Sequence, residues 1–154
     1  MQRWSLLLPV LLAVGCARSV PAPRFESTTA AVEQRDQPVT PEDLRLLKRA
    51  DELLADASTW DRTDDRTCAP DQAQLSLFCA LQKASVEILG EYQHRRVAMQ
   101  EVRFAIEDVT GGREFEHRLM DFNNLEETTF ADIKRVLSIA TERVAARLAG
   151  SPRP

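Results

Sequence analysis

Between Thr40 and Gly150 the apolar positions recur at three- and four-residue steps, in four stretches parted by polar or glycine-containing breaks. That period is the one by which an α-helix turns a single face inward. The first stretch opens on Thr40-Pro41-Glu42-Asp43: the hydroxyl can cap, the proline has no needed donor to lose, and the acids complement the positive helix end. It predicts a helix to about Ala57, with Leu44, Leu47, Leu54 and Ala57 inward, flanked by Leu46, Ala50 and Leu53. A second helix is expected after Pro70, with Asp71 as cap and Gln74 as its capping-box partner. Leu75, Phe78, Cys79, Gln82, Val86 and Leu89 share one side, which Leu77, Leu81, Ala84 and Ile88 widen. This is the most apolar of the four and therefore the central one, and Gly90 marks its end.

The third stretch, about Arg95 to Val109, turns Val97, Met99, Val102, Ala105, Ile106 and Val109 inward with Phe104 at the edge, and Gly111-Gly112 stops it. In the last, Thr129 caps, Asp132 lies in the first turn, and Phe130, Ile133, Val136, Leu137, Ala140, Val144 and Leu148 repeat up to Gly150 and Pro152. Trp60 to Pro70 reads as a polar loop anchored by Trp60, and residues 113–127 as an irregular connection whose Phe115, Leu119, Met120 and Phe122 plug the core. No stretch alternates at period two and no repeat occurs. The expectation is an all-α protein: a small four-helix orthogonal bundle over residues 40–150, with residues 151–154 a disordered tail.

Charge narrows the partners. The chain carries 20 basic and 24 acidic residues, net −4, with the two signs interspersed. No basic stripe can follow a phosphate backbone, which argues against nucleic acid. Residues 17–39, with Pro21, Pro23 and Pro38 and few large apolar side chains, read as a flexible tether of roughly 25 to 30 Å by random-coil scaling.

Ahead of that tether, Arg3 precedes an apolar run from Trp4 to Val14 that contains Ser5 and Pro9. The run is far short of the ~20 residues that cross a bilayer and reads as a removable signal over residues 1–15. Its end, Leu11-Leu12-Ala13-Val14-Gly15-Cys16, resembles the lipobox of bacterial lipoproteins. The resemblance implies cleavage between Gly15 and Cys16, a diacylglyceryl thioether on Cys16, and an acylated new amino terminus (hence palmitate-type chains). Two or more acyl chains give stable anchoring, at roughly 0.8 kcal/mol per buried methylene. Ala17 after the cysteine implies sorting to the outer membrane, facing the periplasm. With Cys16 assigned to lipid, Cys68 and Cys79 remain as an even pair in an oxidising compartment, and a disulfide is expected between them.

Residues 44–148 are also similar to a group of small uncharacterised bacterial domains of unknown function. The matching stretches are Leu53-Leu54 through Trp60, Cys79-Ala80-Leu81-Gln82-Lys83-Ala84, and Phe122-Asn123-Asn124 followed by Thr129-Phe130-Ala131-Asp132-Ile133. The resemblance implies a helical domain and carries no activity.

Chemistry is sparse. His94 adjoins Arg95-Arg96 and His117 adjoins Arg118, positive neighbours that disfavour a cation, and neither HExxH nor CxxC occurs. The acids of Asp61 to Arg66 lack the glycine turn and terminal glutamate of a calcium loop. Ser76 and Ser85 lie on a predicted helix without a glycine elbow. Neither metal nor cofactor is expected. The densest polar cluster, Asp121-Phe122-Asn123-Asn124, is either a hydrogen-bonded knot fixing entry to the last helix or, with His117 and Arg118, a cleft for a polar ligand. The expected function is a non-catalytic binding or structural module, lipid-anchored in the bacterial envelope, whose partner is an envelope protein or cell-wall component. The alternative is an envelope enzyme or small-ligand receptor using that cleft.

Overall fold

The helices α1 Pro41–Leu53 and α2 Leu77–Leu89 start where a side chain satisfies their first amides and end where a turn takes over. The computed structural model describes residues 37–150, and five helices lie among them: α1 Pro41–Leu53, α2 Leu77–Leu89, α3 Val97–Val109, α4 Arg118–Asn124 and α5 Phe130–Gly150. The described residues are all-helical apart from an isolated parallel bridge between Trp60 and Leu75. The signal, the tether through residue 36 and the tail at 151–154 fall outside the described residues.

The α1 start follows expectation. Thr40 and Asp43 form a capping box, with Pro41 in the first turn. Its end does not, for α1 stops at Leu53 and leaves Ala57 exposed. Asp56 Oδ1 accepts from the Ser58 amide (2.8 Å) and hydroxyl (2.6 Å), and the Thr59 amide donates to the Asp56 carbonyl. This local turn outcompetes further helix. The second helix likewise begins at Leu77, not at Asp71, with Ser76 accepting from the Cys79 amide. The Leu75 amide donates to Thr59 O (2.8 Å) and the Asp61 amide to Leu75 O (3.0 Å). Those bonds hold residue 75 extended, and Gln74 instead donates to the Ser58 carbonyl. Gly90, at φ +82°, closes α2 in the left-handed region.

The connection expected to be irregular contains α4, so the helices among the described residues number five rather than four. Leu119 and Phe122 bury its inner side, and α4 packs against α2 and α3. α5 lies along α3 and α1, and α1 pairs with α2. Leu46, Leu47, Leu81, Met99, Ile106, Ile133 and Leu137 are among the fully buried side chains of one continuous core. Each is worth about 1.5 to 3 kcal/mol in transfer from water. Phe104, expected at the edge, is buried, whereas Val86, expected inward, is 48% exposed.

Candidate functional site

Asn123 is the polar centre of the molecule. It sits on α4 with no exposed surface. Its Oδ1 accepts from Trp60 Nε1 (2.8 Å) and the Leu77 amide (3.1 Å), and its Nδ2 donates to the carbonyls of Asp61 (3.1 Å) and Arg62 (3.0 Å). Asn124 continues the pattern, accepting from the Asp64 amide (2.7 Å) and donating to the Asp64 carbonyl (2.8 Å). The two amides thus dock the Trp60 loop and the first turn of α2 onto α4, as backbone-mimicking side chains can. Arg62 adds bonds to the Leu125 and Glu126 carbonyls, and its guanidinium lies over the Trp60 ring. The knot expected at entry to the last helix therefore secures a different place, the loop before α2.

The other members of the expected cleft do not gather around Asn123. His117 is exposed at the N-cap of α4, and its amide donates to Asp121 Oδ2 (2.8 Å). Arg118 runs toward α3, 3.5 Å from the Arg103 carbonyl and 3.8 Å from Glu107. Among the described residues no group of three or more histidine, cysteine, aspartate or glutamate side chains could hold a metal ion. Ser76 is a helix cap, and buried Ser85 donates to the Glu91 carbonyl and accepts from the Gln93 amide, tying down the α2–α3 turn. Cys68 and Cys79 form a disulfide, with Cα atoms 5.4 Å apart. It fastens the second half of the loop whose first half the asparagines hold.

A second polar centre lies where α1 and α3 begin. Asp43 is 1% exposed. Its Oδ2 accepts from the Thr40 amide (2.9 Å) and hydroxyl (3.0 Å), and its Oδ1 from Arg96 Nε (3.0 Å) and the Ala98 amide (3.2 Å). The α3 N-cap is Arg96, which has no acceptor to offer, so the carboxylate of α1 caps both helices. Arg96 Nη2 also donates to Thr40 Oγ1 (2.7 Å). Beside this pair opens a cavity of about 440 Å³ lined by Gln37, Thr40, Gln93, His94, Arg95 and Arg96, among others. The Thr-x-x-Asp capping pattern is visible in the sequence, but nothing near Arg96 says that Asp43 serves a helix more than fifty residues away.

The family of unknown function DUF6197 matches residues 38–143, most of the chain. The chain belongs to DUF6197. No curated protein and no solved structure matches it. The DUF6197 match takes in both polar centres and both disulfide cysteines, whereas residues 1–37, including Gly15 and Cys16, lie outside it. The matched part thus covers the helical body as far as residue 143, and the run Leu11 to Cys16 lies outside it.

Proposed function

We propose that this DUF6197 chain is a lipid-anchored lipoprotein of the bacterial envelope, a non-catalytic binding or structural module held at the periplasmic face of the outer membrane by acyl chains on Cys16. The observation that carries the reading is the run Leu11 to Cys16 behind a short apolar segment with a single preceding arginine. The Cys68–Cys79 disulfide supports it, because such bonds persist outside the reducing cytoplasm. No helix of the described residues is long and apolar enough to cross a membrane, so the body itself supplies no span. The anchored body is read as an orthogonal arrangement of the four longer helices with α4 between them. Its partner would be an envelope protein or cell-wall component.

The binding-module reading is favoured over the enzyme or receptor reading by Asn123, whose four hydrogen bonds to the scaffold leave it no role toward a ligand. The deciding experiment is fractionation of cells expressing the parent and Cys16→Ser. The parent is expected in the membrane fraction with an acylated N-terminal peptide by mass spectrometry. An unmodified thiol at Cys16 would reject the anchor.

A further inference from the structure

The lining of the cavity between the starts of α1 and α3 carries Arg95, Arg96 and His94 against a single carboxylate, although the chain as a whole is acidic. Asp43, the one carboxylate in its lining, is buried and committed to Arg96, Thr40 and Ala98. The neighbouring Glu91 is not part of the lining. Arg95 is exposed and, among the described residues, its guanidinium takes part in no ion pair or hydrogen bond. His94 beside it is exposed, with its ring 6.4 Å from that of Tyr92 between centroids. The outer edge of Arg96, 21% exposed, completes the rim.

Position adds a second argument. Gln37 and Pro38, the first described residues, form part of the same wall. The cavity therefore lies at the root of the segment that leads back to Cys16. From these observations we infer that the cavity binds the phosphate of an anionic phospholipid headgroup, seating this end of the body on the membrane. A volume of 440 Å³ is within the range of small-molecule sites. The inference rests on the anchor reading for the lipid's proximity. Acyl chains on Cys16, some twenty residues before Gln37, would keep the body near the bilayer, so a site too weak to recruit the free body would still orient an anchored one. The net charge of −4 gives the chain no general attraction for an anionic surface.

The DUF6197 match begins at residue 38, and among the described residues the buried core runs from Leu46 to Val144, so the chain from residue 16 onward with Cys16→Ser, free of signal and acyl chains, is a suitable probe. It should co-sediment with phosphatidylglycerol vesicles at 0.1 M salt and not with phosphatidylcholine vesicles. Arg95→Gln, an exposed change, should lower the partition coefficient about fivefold at an unchanged melting temperature, the effect of one basic residue at an anionic surface. Equal binding of the parent and Arg95→Gln would overturn the inference. Binding of inorganic phosphate without vesicle binding would overturn the lipid source in favour of a soluble phosphate. The two proposals fail separately: vesicle binding dependent on Arg95 with an unmodified Cys16 in cells would reject the anchor alone, and an acylated Cys16 with no effect of Arg95→Gln would reject the headgroup site alone.

Discussion

Single buried polar side chains do more of the organising here than any surface ion pair. Asn123→Ala would leave the Trp60 indole, the Leu77 amide and the Asp61 and Arg62 carbonyls without their partner. Buried groups stripped of partners cost about 1 to 3 kcal/mol each, less where water can enter, so a loss of about 3 to 4 kcal/mol in urea-determined stability is expected. A loss below about 1 kcal/mol would mean the knot is not what holds the loop. His117→Ala, at an exposed position where, among the described residues, the backbone amide rather than the ring is engaged, should change stability by less than about 0.5 kcal/mol. Asp132 gives a residue-level test by pH. Bonds from the Thr129 hydroxyl (2.6 Å) and amide (2.9 Å) hold its carboxyl below the ordinary 3.8. A carboxyl with a depressed folded value stabilises above its unfolded value and loses that contribution as pH falls through the folded one. Asp132→Asn should therefore cost about 1 kcal/mol at pH 7, the worth of a capping interaction. The gap from the parent should close below pH 4, and an equal gap at pH 7 and pH 2.5 would rule out the carboxylate charge as its source.

Among the elements, legibility in the sequence tracks how local the deciding contact is. The start of α1, the left-handed stop at Gly90 and the whole of α5 are encoded within a few residues, by Thr40 and Asp43, by a glycine, and by Thr129 and Asp132 before an apolar stripe. The start of α2 is not, because the bridge of Leu75 to Thr59 and Asp61 comes from a loop some fifteen residues upstream. The step from Leu119 to Phe122 fits the helical period of α4, but seven residues are too few to hold a helix unaided, and its packing on α2 and α3 is a tertiary fact. The asparagine pair was legible as a knot and illegible as to what it ties. The segment between α1 and α2 also has a measurable division of labour. Loss of the Cys68–Cys79 bond, at a sequence separation of 11, should cost about 3 kcal/mol by the chain-entropy account. Reduction should leave the Trp60 emission spectrum native, since Asn123 and Asn124 hold residues 60–64 independently. A red shift on reduction below the melting temperature would show that the disulfide, and not the asparagines, seats the tryptophan.

At the scale of the molecule, one core joins elements far apart in sequence, from Leu46 on α1 to Val144 on α5, and includes Leu75 from the loop and Leu119 and Phe122 from α4. Cross-links between elements follow the same plan. Lys134 of α5 pairs with Asp51 of α1, Arg143 with Asp108 of α3, and Arg147 with Glu101 of α3 while also donating to the Gln37 carbonyl. Mostly exposed pairs of this kind are worth little singly, so the shared apolar core must supply the cooperativity. Trp60 is the only tryptophan among the described residues, and it reports on the loop, whereas far-UV ellipticity reports on the five helices. If the knot merely decorated an independent bundle, fluorescence would change at lower urea than ellipticity. Because Leu75 is part of the same core and Asn123 sits on a core helix, the two urea transitions are expected to coincide, as two-state unfolding requires. In Asn123→Ala both midpoints should shift together. Separation of the two curves in the parent would instead make the Trp60 loop a local unit that opens on its own, and the surface it uncovers on α4 and α2 would then be accessible in the folded population.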